Sequence, residues 1–305
     1  MSSVTLAESA KLAQDMLIAG VIENIVTVNP IFEVIPFTEI SGNAITYNRE
    51  NALGDVQFLG VGGTITAKSA ATFTKVTSSL TTLIGDAEVN GLIQATRSNT
   101  TDQKATQVGS KAKSIARQFQ NTMINGTGAA DTFNGLLSLV ATGQIVTSAA
   151  NGQALSFTTL DQLMDLVLDK DGEVDYFMMT ARTIRSYYAL LRALGGASVG
   201  DVVSLPSGRT VPAYRGVPIF RNDWIPVNQV QGTLTNGTSI FAGTFDDGSG
   251  THGMSGLTAE GDAGIRIADV GESETKDESI TRIKMYCGLA LFSELGLAVA
   301  PGISN

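Results

Sequence analysis

The sequence predicts an α+β protein, and three observations carry that reading. One long amphipathic helix is predicted over 102–125, where Val108, Ala112, Ile115, Phe119 and Met123 recur at steps of three and four. From Leu155 onward, helical and strand-like segments alternate. β-rich blocks stand before the long helix and at the end of the chain, so helices are set apart from runs of strands.

The bounds agree with a folded domain. The 305 residues suffice for one large or two ordinary domains with a substantial core. A net charge of -9 argues against a chain whose main work is gripping phosphate, since such chains are usually basic. Cys287 is the single cysteine, so no internal disulfide forms and nothing points to an oxidising compartment. The N-terminus lacks a signal-peptide pattern. The most apolar stretch, Cys287 to Ile303, carries Glu294 in its middle and falls short of a membrane span. The expectation is a soluble intracellular protein with no membrane contact.

In order, residues 1–45 begin with a short amphipathic helix: Leu6, Ala10, Ala13, Met16 and Leu17 share a face, and Gly20 stops it. "VTVNPIFEVIPFTEI" then reads as extended chain, a poor regular strand with no visible partner. Residues 46–90 read as a long two-stranded β-loop. "YNRENALGDVQFL" forms one arm and "GVGG" the turn. The other arm, "TITAKSAATFTKVTSSLTT", is rich in threonine, which favours strands. A lone hairpin is marginal in water, so this one needs a surface to lie on. Residues 91–144 contain the long helix, with Thr100 and Gln103 as a candidate capping box and Gly126 just past its end. Lys104, Lys111, Lys113 and Arg117 make it locally basic in an acidic chain. Within 145–240, "FTTLDQLMDLVLD" and "ARTIRSYYALLRAL" read as helices flanking the strand "VDYFMMT"; "RTVPAYRGVPIFRNDWIPV" and "TSIFAGTF" read as strands with turns. Residues 241–305 hold an acidic loop, "GESETKDESI", and an apolar tail read as a central strand pair.

The search for chemistry yields little. One histidine and one cysteine cannot build a zinc site of the usual ligands. "DKDGEVD" lacks the full calcium-loop pattern and reads as a helix-ending turn, and "GVGGTI" lacks the third glycine of a dinucleotide fingerprint. "GASVG" fits the G-x-S-x-G motif, with Ser198 as nucleophile and Asp223 and His252 following in hydrolase order. That motif must follow a strand, whereas here it follows a predicted helix. No catalytic residue, cofactor site or metal site is assigned.

The ordered parts do resemble a known family. "QVGSKAKSIARQFQNTMINGTGAADTFNGLL" resembles the spine helix and following strand of the major capsid proteins of tailed double-stranded DNA bacteriophages, which share the HK97 fold. "RGVPIFRNDWIP" resembles that family's G-x-P-x-x-x-x-D-x-x-P turn, and "IFAGTFDDG" and "RIKMYCGLALFSELGLAVAPGI" resemble its late strands. The resemblance implies an N-terminal arm (1–45), an extended β-loop (46–90), a peripheral domain (91–144) with spine helix 102–125, an axial domain (145–240), and a return to the peripheral domain (241–305). It implies a structural subunit, not an enzyme, assembling in the host bacterial cytoplasm into the hexamers and pentamers of an icosahedral capsid around phage DNA, without sequence-specific binding. A separate scaffolding protein, a portal and a decoration protein are its implied partners. Arm and β-loop would reach over neighbours. Arg49, Lys68 and Lys75 would then meet a neighbour's spine helix or its acidic Glu272, Glu274, Asp277 and Glu278. Some relatives join a β-loop lysine covalently to an asparagine; Lys68 and Lys75 are candidates by location only, and no motif requires that bond. An encapsulin-like nanocompartment shell is the alternative of the same fold, and a Ser198 hydrolase the distant alternative of another class.

Overall fold

The computed structural model describes residue 31 and residues 34–97, 103–146, 148–168, 172–194, 201–261 and 264–304. The expected helix over Leu6–Gly20, the Thr100 side of the capping box and Ser198 lie outside the described residues. The elements run β1 (Phe37–Ile40), β2 (Ala44–Ala52), β3 (Thr72–Ser79), β4 (Thr81–Asn90), α1 (Gly91–Arg97), α2 (Gln103–Asn125), α3 (Leu136–Leu139), β5 (Gln153–Ala154), α4 (Phe157–Leu168), β6 (Tyr176–Met179), α5 (Ala181–Ala193), β7 (Val202–Ser204), β8 (Thr210–Tyr214), β9 (Val217–Arg221), β10 (Gln229–Gln231), β11 (Leu234–Gly243), β12 (Met254–Ala259), β13 (Ile265–Glu272), β14 (Glu278–Leu291) and β15 (Leu297–Ser304). They form a five-stranded sheet, an eight-stranded sheet and a two-stranded ribbon.

Helix α2 lies on the five-stranded sheet. Its residues Val108, Ala112, Ile115, Phe119 and Met123 are all buried, in one cluster with Ala87 of β4 and Ile283, Met285 and Cys287 of β14. In β14, Thr281, Ile283, Met285 and Cys287 alternate inward, as a half-covered strand requires. The helix ends in a close crossing. The Gly135 N–H donates to the Gly126 carbonyl at 2.9 Å. A Cβ on Gly126 would stand 2.2 Å from the Phe133 carbonyl oxygen, so only glycine lets the backbones approach this closely. The turn that follows brings Phe133 under Phe119, ring centroids 5.7 Å apart.

The eight-stranded sheet carries α4 and α5. Leu160, Leu163 and Val167 of α4 and Tyr187 of α5 are buried with Phe177, Ile219 and Ala298 of the sheet. The Tyr187 hydroxyl donates to the Ala213 carbonyl at 2.8 Å. Strands β8 and β9 are joined through Arg215 and Gly216, both with positive φ, in the two-residue turn whose twist suits a hairpin.

Several sequence expectations are corrected. The "VTVNPIFEVIPFTEI" stretch does find a partner: Phe37–Ile40 pairs in parallel with Gly256–Ala259 of β12. The threonine-rich segment is not one hairpin arm. Residues 72–79 pair with β2, but residues 81–90 leave the hairpin and pair with β14 along its length, because Ala87 and Val89 supply a buried face that β3 lacks. The tail is not a strand pair. A short 3-10 turn at Glu294–Gly296 parts β14 from β15; β14 stays in the five-stranded sheet, while β15 pairs with β11 and β5 in the eight-stranded one. Of residues 241–305, β12, β13 and β14 lie in the five-stranded sheet and β15 in the eight-stranded one.

Candidate assembly surface

The ribbon of β2 and β3 is fixed at its base. Its inner face alternates through Ile45, Tyr47 and Arg49. The Tyr47 hydroxyl donates to the Leu291 carbonyl at 2.8 Å, and its ring meets Phe292 edge-on at 5.1 Å. Arg49 donates from Nε to the Phe292 carbonyl at 3.0 Å, from Nη1 to Glu294 Oε1 at 2.6 Å, and from Nη2 to the Leu291 carbonyl. Its guanidinium also lies 5.6 Å from the centre of the Tyr47 ring. The Arg49 charge is committed within its own subunit, and only 13% of the side chain is exposed.

Beyond Arg49 the ribbon leaves the body. Leu53, Val56, Phe58, Val61, Ile65 and Phe73 are all exposed. The tip is nonetheless ordered by its own polar groups. Gln57 Oε1 accepts from the Thr66 and Ala67 N–H groups at 2.8 and 2.7 Å, and Gln57 Nε2 donates to the Thr64 carbonyl at 3.1 Å. Lys68 and Lys75 are exposed and make no ion pair among the described residues.

The acidic tract is the tip of the β13–β14 hairpin, closed by the Ser273 N–H donating to the Glu278 carbonyl at 2.9 Å. Glu272, Glu274 and Asp277 are exposed; Glu278 is half-buried, 3.7 Å from Lys276. The Asp277 carbonyl accepts from the Gly91 N–H at 3.0 Å. Glu278 stands opposite Asn90, and Cys287 opposite Thr81. The tract thus lies at the far end of β4 from the ribbon's base, about 30 Å away at strand rise.

Charge pairs tie the sheet strands to one another and to the helix. Arg282 grips Asp86 with two hydrogen bonds of 2.8 Å across the β4–β14 pair, and this holds the Asp86 carboxyl below its ordinary value of 3.8. Lys104 of α2 bonds Asp269 at 2.9 Å and lowers that carboxyl in the same way. Burial pushes the Cys287 thiol up to about 12 and leaves it inert.

Of the hydrolase candidates, the two described residues, Asp223 and His252, are not brought together. Asp223 is held by Arg221, while His252 lies in an exposed loop 3.6 Å from Asp247; the two line different cavities. Among the described residues no three potential metal ligands cluster, and no helix is long and apolar enough to cross a membrane. One contact was missed from sequence. Trp224 Nε1 donates to Gln120 Oε1 at 3.2 Å, and Asn125 Nδ2 donates to the Trp224 carbonyl at 3.0 Å. The turn "RNDWIP" thereby docks on the end of α2; the lone tryptophan was its only signal.

The profile of the SU10 major capsid protein family matches residues 59–201. A search of curated protein sequences returns no match. Among solved structures, the chain is similar to the holo encapsulin complex from Synechococcus elongatus PCC 7942 (TM-score 0.70, 20% identity, covering 90% of this chain and 87% of that one). It is similar to the capsid of cyanophage A-1(L) (TM-score 0.64, 14% identity, 90% and 93% covered). It is also similar to the capsid of a native GTA particle (TM-score 0.61, 14% identity, 90% of each chain covered). The fold is HK97-like.

Proposed function

We propose that this chain, a shell-forming major capsid protein with the HK97-like fold, builds the icosahedral capsid that encloses the double-stranded DNA of a tailed phage. One observation carries the reading: an ordered ribbon, fixed at its base, holds Val56, Phe58 and Val61 almost fully in water. A monomer gains nothing from that exposure, and a neighbouring copy would bury it. Neighbouring copies also suit the charges. Lys68 and Lys75 are free on the ribbon, and the neighbour's Glu272, Glu274, Asp277 and Glu278 form an acidic tip that the subunit's own ribbon does not approach. The acidity of the chain opposes adhesion of packaged DNA to the wall. Assembly in the host cytoplasm with a separate scaffolding protein, a portal and a decoration protein belongs to the same reading.

The TM-score of 0.70 to an encapsulin favours a second reading, a nanocompartment shell enclosing protein. Purified particles decide between them. Negative-stain microscopy should show closed shells; particles formed in infected cells should contain nuclease-protected DNA. Shells holding protein and no nucleic acid would favour the nanocompartment, and a preparation that stays monomeric would sink both.

A further inference from the structure

Where α2, α5 and the β8–β9 hairpin meet, the chain leaves an open cavity of about 650 Å³. Its rim carries three arginines. Arg221 is neutralised by Asp223, with hydrogen bonds of 3.0 and 2.5 Å. Arg117 and Arg209 are exposed and have no carboxylate partner among the described residues. The tryptophan contact supplies a second, independent observation. Gln120 is 4% exposed. An indole N–H can only donate, so the amide atom facing Trp224 must be the oxygen. That fixes the amide, and its buried donor Nε2, on a side chain that lines the cavity, is left without a partner among the described residues. A buried donor without an acceptor is costly, so an acceptor brought to this side chain would be favoured there. Part of the wall is apolar, from Ile184, Val211 and Pro212, and Tyr188 and Trp224 are both partly exposed there.

We propose that this cavity binds a short acidic segment of a second protein. One carboxylate is taken by Arg117 and Arg209, a carbonyl or carboxylate oxygen by Gln120 Nε2, and an adjacent aliphatic side chain by the apolar wall. Nucleic acid fits less well, since a phosphate chain would leave that wall wet. The chain's own acidic tip fits less well too, because "GESETKDES" offers no aliphatic side chain between its charges. The proposal stands apart from shell assembly, which is scored by microscopy on the same preparation.

Trp224 is the only tryptophan, so its emission reports on this cavity alone. The full-length chain is titrated with four probes: the peptide Leu-Glu-Leu-Glu-Leu, its glutamine counterpart, the peptide Gly-Glu-Ser-Glu-Thr-Lys-Asp-Glu-Ser, and pentathymidylate. The first should shift the emission saturably, with the other three at least tenfold weaker. Arg117→Ala with Arg209→Ala should weaken the first probe tenfold or more at unchanged melting temperature. Gln120→Glu keeps the acceptor for the indole but removes the free donor, and should weaken it as well. No saturable response, an equal response to the glutamine peptide, tighter binding of either remaining probe, or full binding by the folded double variant would each overturn the proposal.

Discussion

At the scale of single residues, charge decides more by where it is committed than by how much there is. Arg49 spends its fork on two backbone carbonyls and Glu294, which leaves Lys68 and Lys75 as the ribbon's free cations. Arg49→Ala should destabilise the isolated subunit by about 1–3 kcal/mol, the range for buried groups losing a charged donor, and should cut particle yield more sharply. Arg49→Lys should not restore the yield, since an ammonium cannot span the three acceptors. Melting curves and particle counts check both. Asp86 sets an acid limit. Its folded value lies below the ordinary 3.8, so the stabilisation from Arg282 is fully present above that value and is lost as pH falls through the lower one. Asp86→Asn should melt below wild type at pH 7, and the gap should close as pH drops below 3.8. A gap that persists at pH 2 would mean that the asparagine costs stability by other means. Phe119 is 3% exposed between α2 and Phe133; Phe119→Ala should cost about 3–5 kcal/mol and give insoluble protein, read from the soluble fraction after expression.

Among elements, legibility followed periodicity. Helix α2 was readable because five large or small apolar residues repeat at helical spacing and all of them are buried. Helix α4 was readable for the same reason, with Leu160, Leu163 and Val167 buried, and α5 from a stripe that is buried at Tyr187 and partly buried at Ile184, Leu190 and Leu191. Strand partners were not. Phe37–Ile40 carries no sign that it will lie parallel to a strand more than two hundred residues on, because pairing is a property of two segments and the sequence displays one at a time. The threonine run hid a boundary at Leu80, since β4 opens with two threonines that carry on the run of β3 before its apolar and acidic residues begin. The ribbon was legible as a hairpin, but its anchor was not: Tyr47 and Arg49 bond backbone carbonyls, and a carbonyl has no signature in sequence. Exposed apolar residues at its tip do give an element-scale test. Phe58→Ser together with Val61→Ser should leave the subunit's melting temperature within the small range of surface substitutions, about 0.5 kcal/mol either way. The same pair should abolish or strongly reduce closed particles in negative stain. Unchanged particle yield would place the ribbon's contacts elsewhere.

For the whole molecule, weak contacts matter through repetition. An exposed ion pair contributes only about 0–1 kcal/mol, yet a shell repeats it at every equivalent interface. Lys68→Ala with Lys75→Ala should leave the subunit folded and lower the melting temperature of shells most at low ionic strength, where screening is least. If such shells melt like wild type in both dilute and concentrated salt, apolar and backbone contacts hold the ribbon. That ribbon is also a cantilever. Strand β2 is nine residues, about 30 Å, and the side chains that tie it to the body, Tyr47 and Arg49, leave the residues beyond Arg49 exposed. A rotation of roughly 10° at the base carries its far end about 5 Å while every backbone bond between β2 and β3 stays closed. The stiff parts of the subunit, α2 on its sheet and the eight-stranded sheet with its helices, need not deform at all. If the subunit met neighbours at differing angles, as the proposed capsid requires, this joint would absorb the difference at the cost of re-aiming one arginine and one tyrosine.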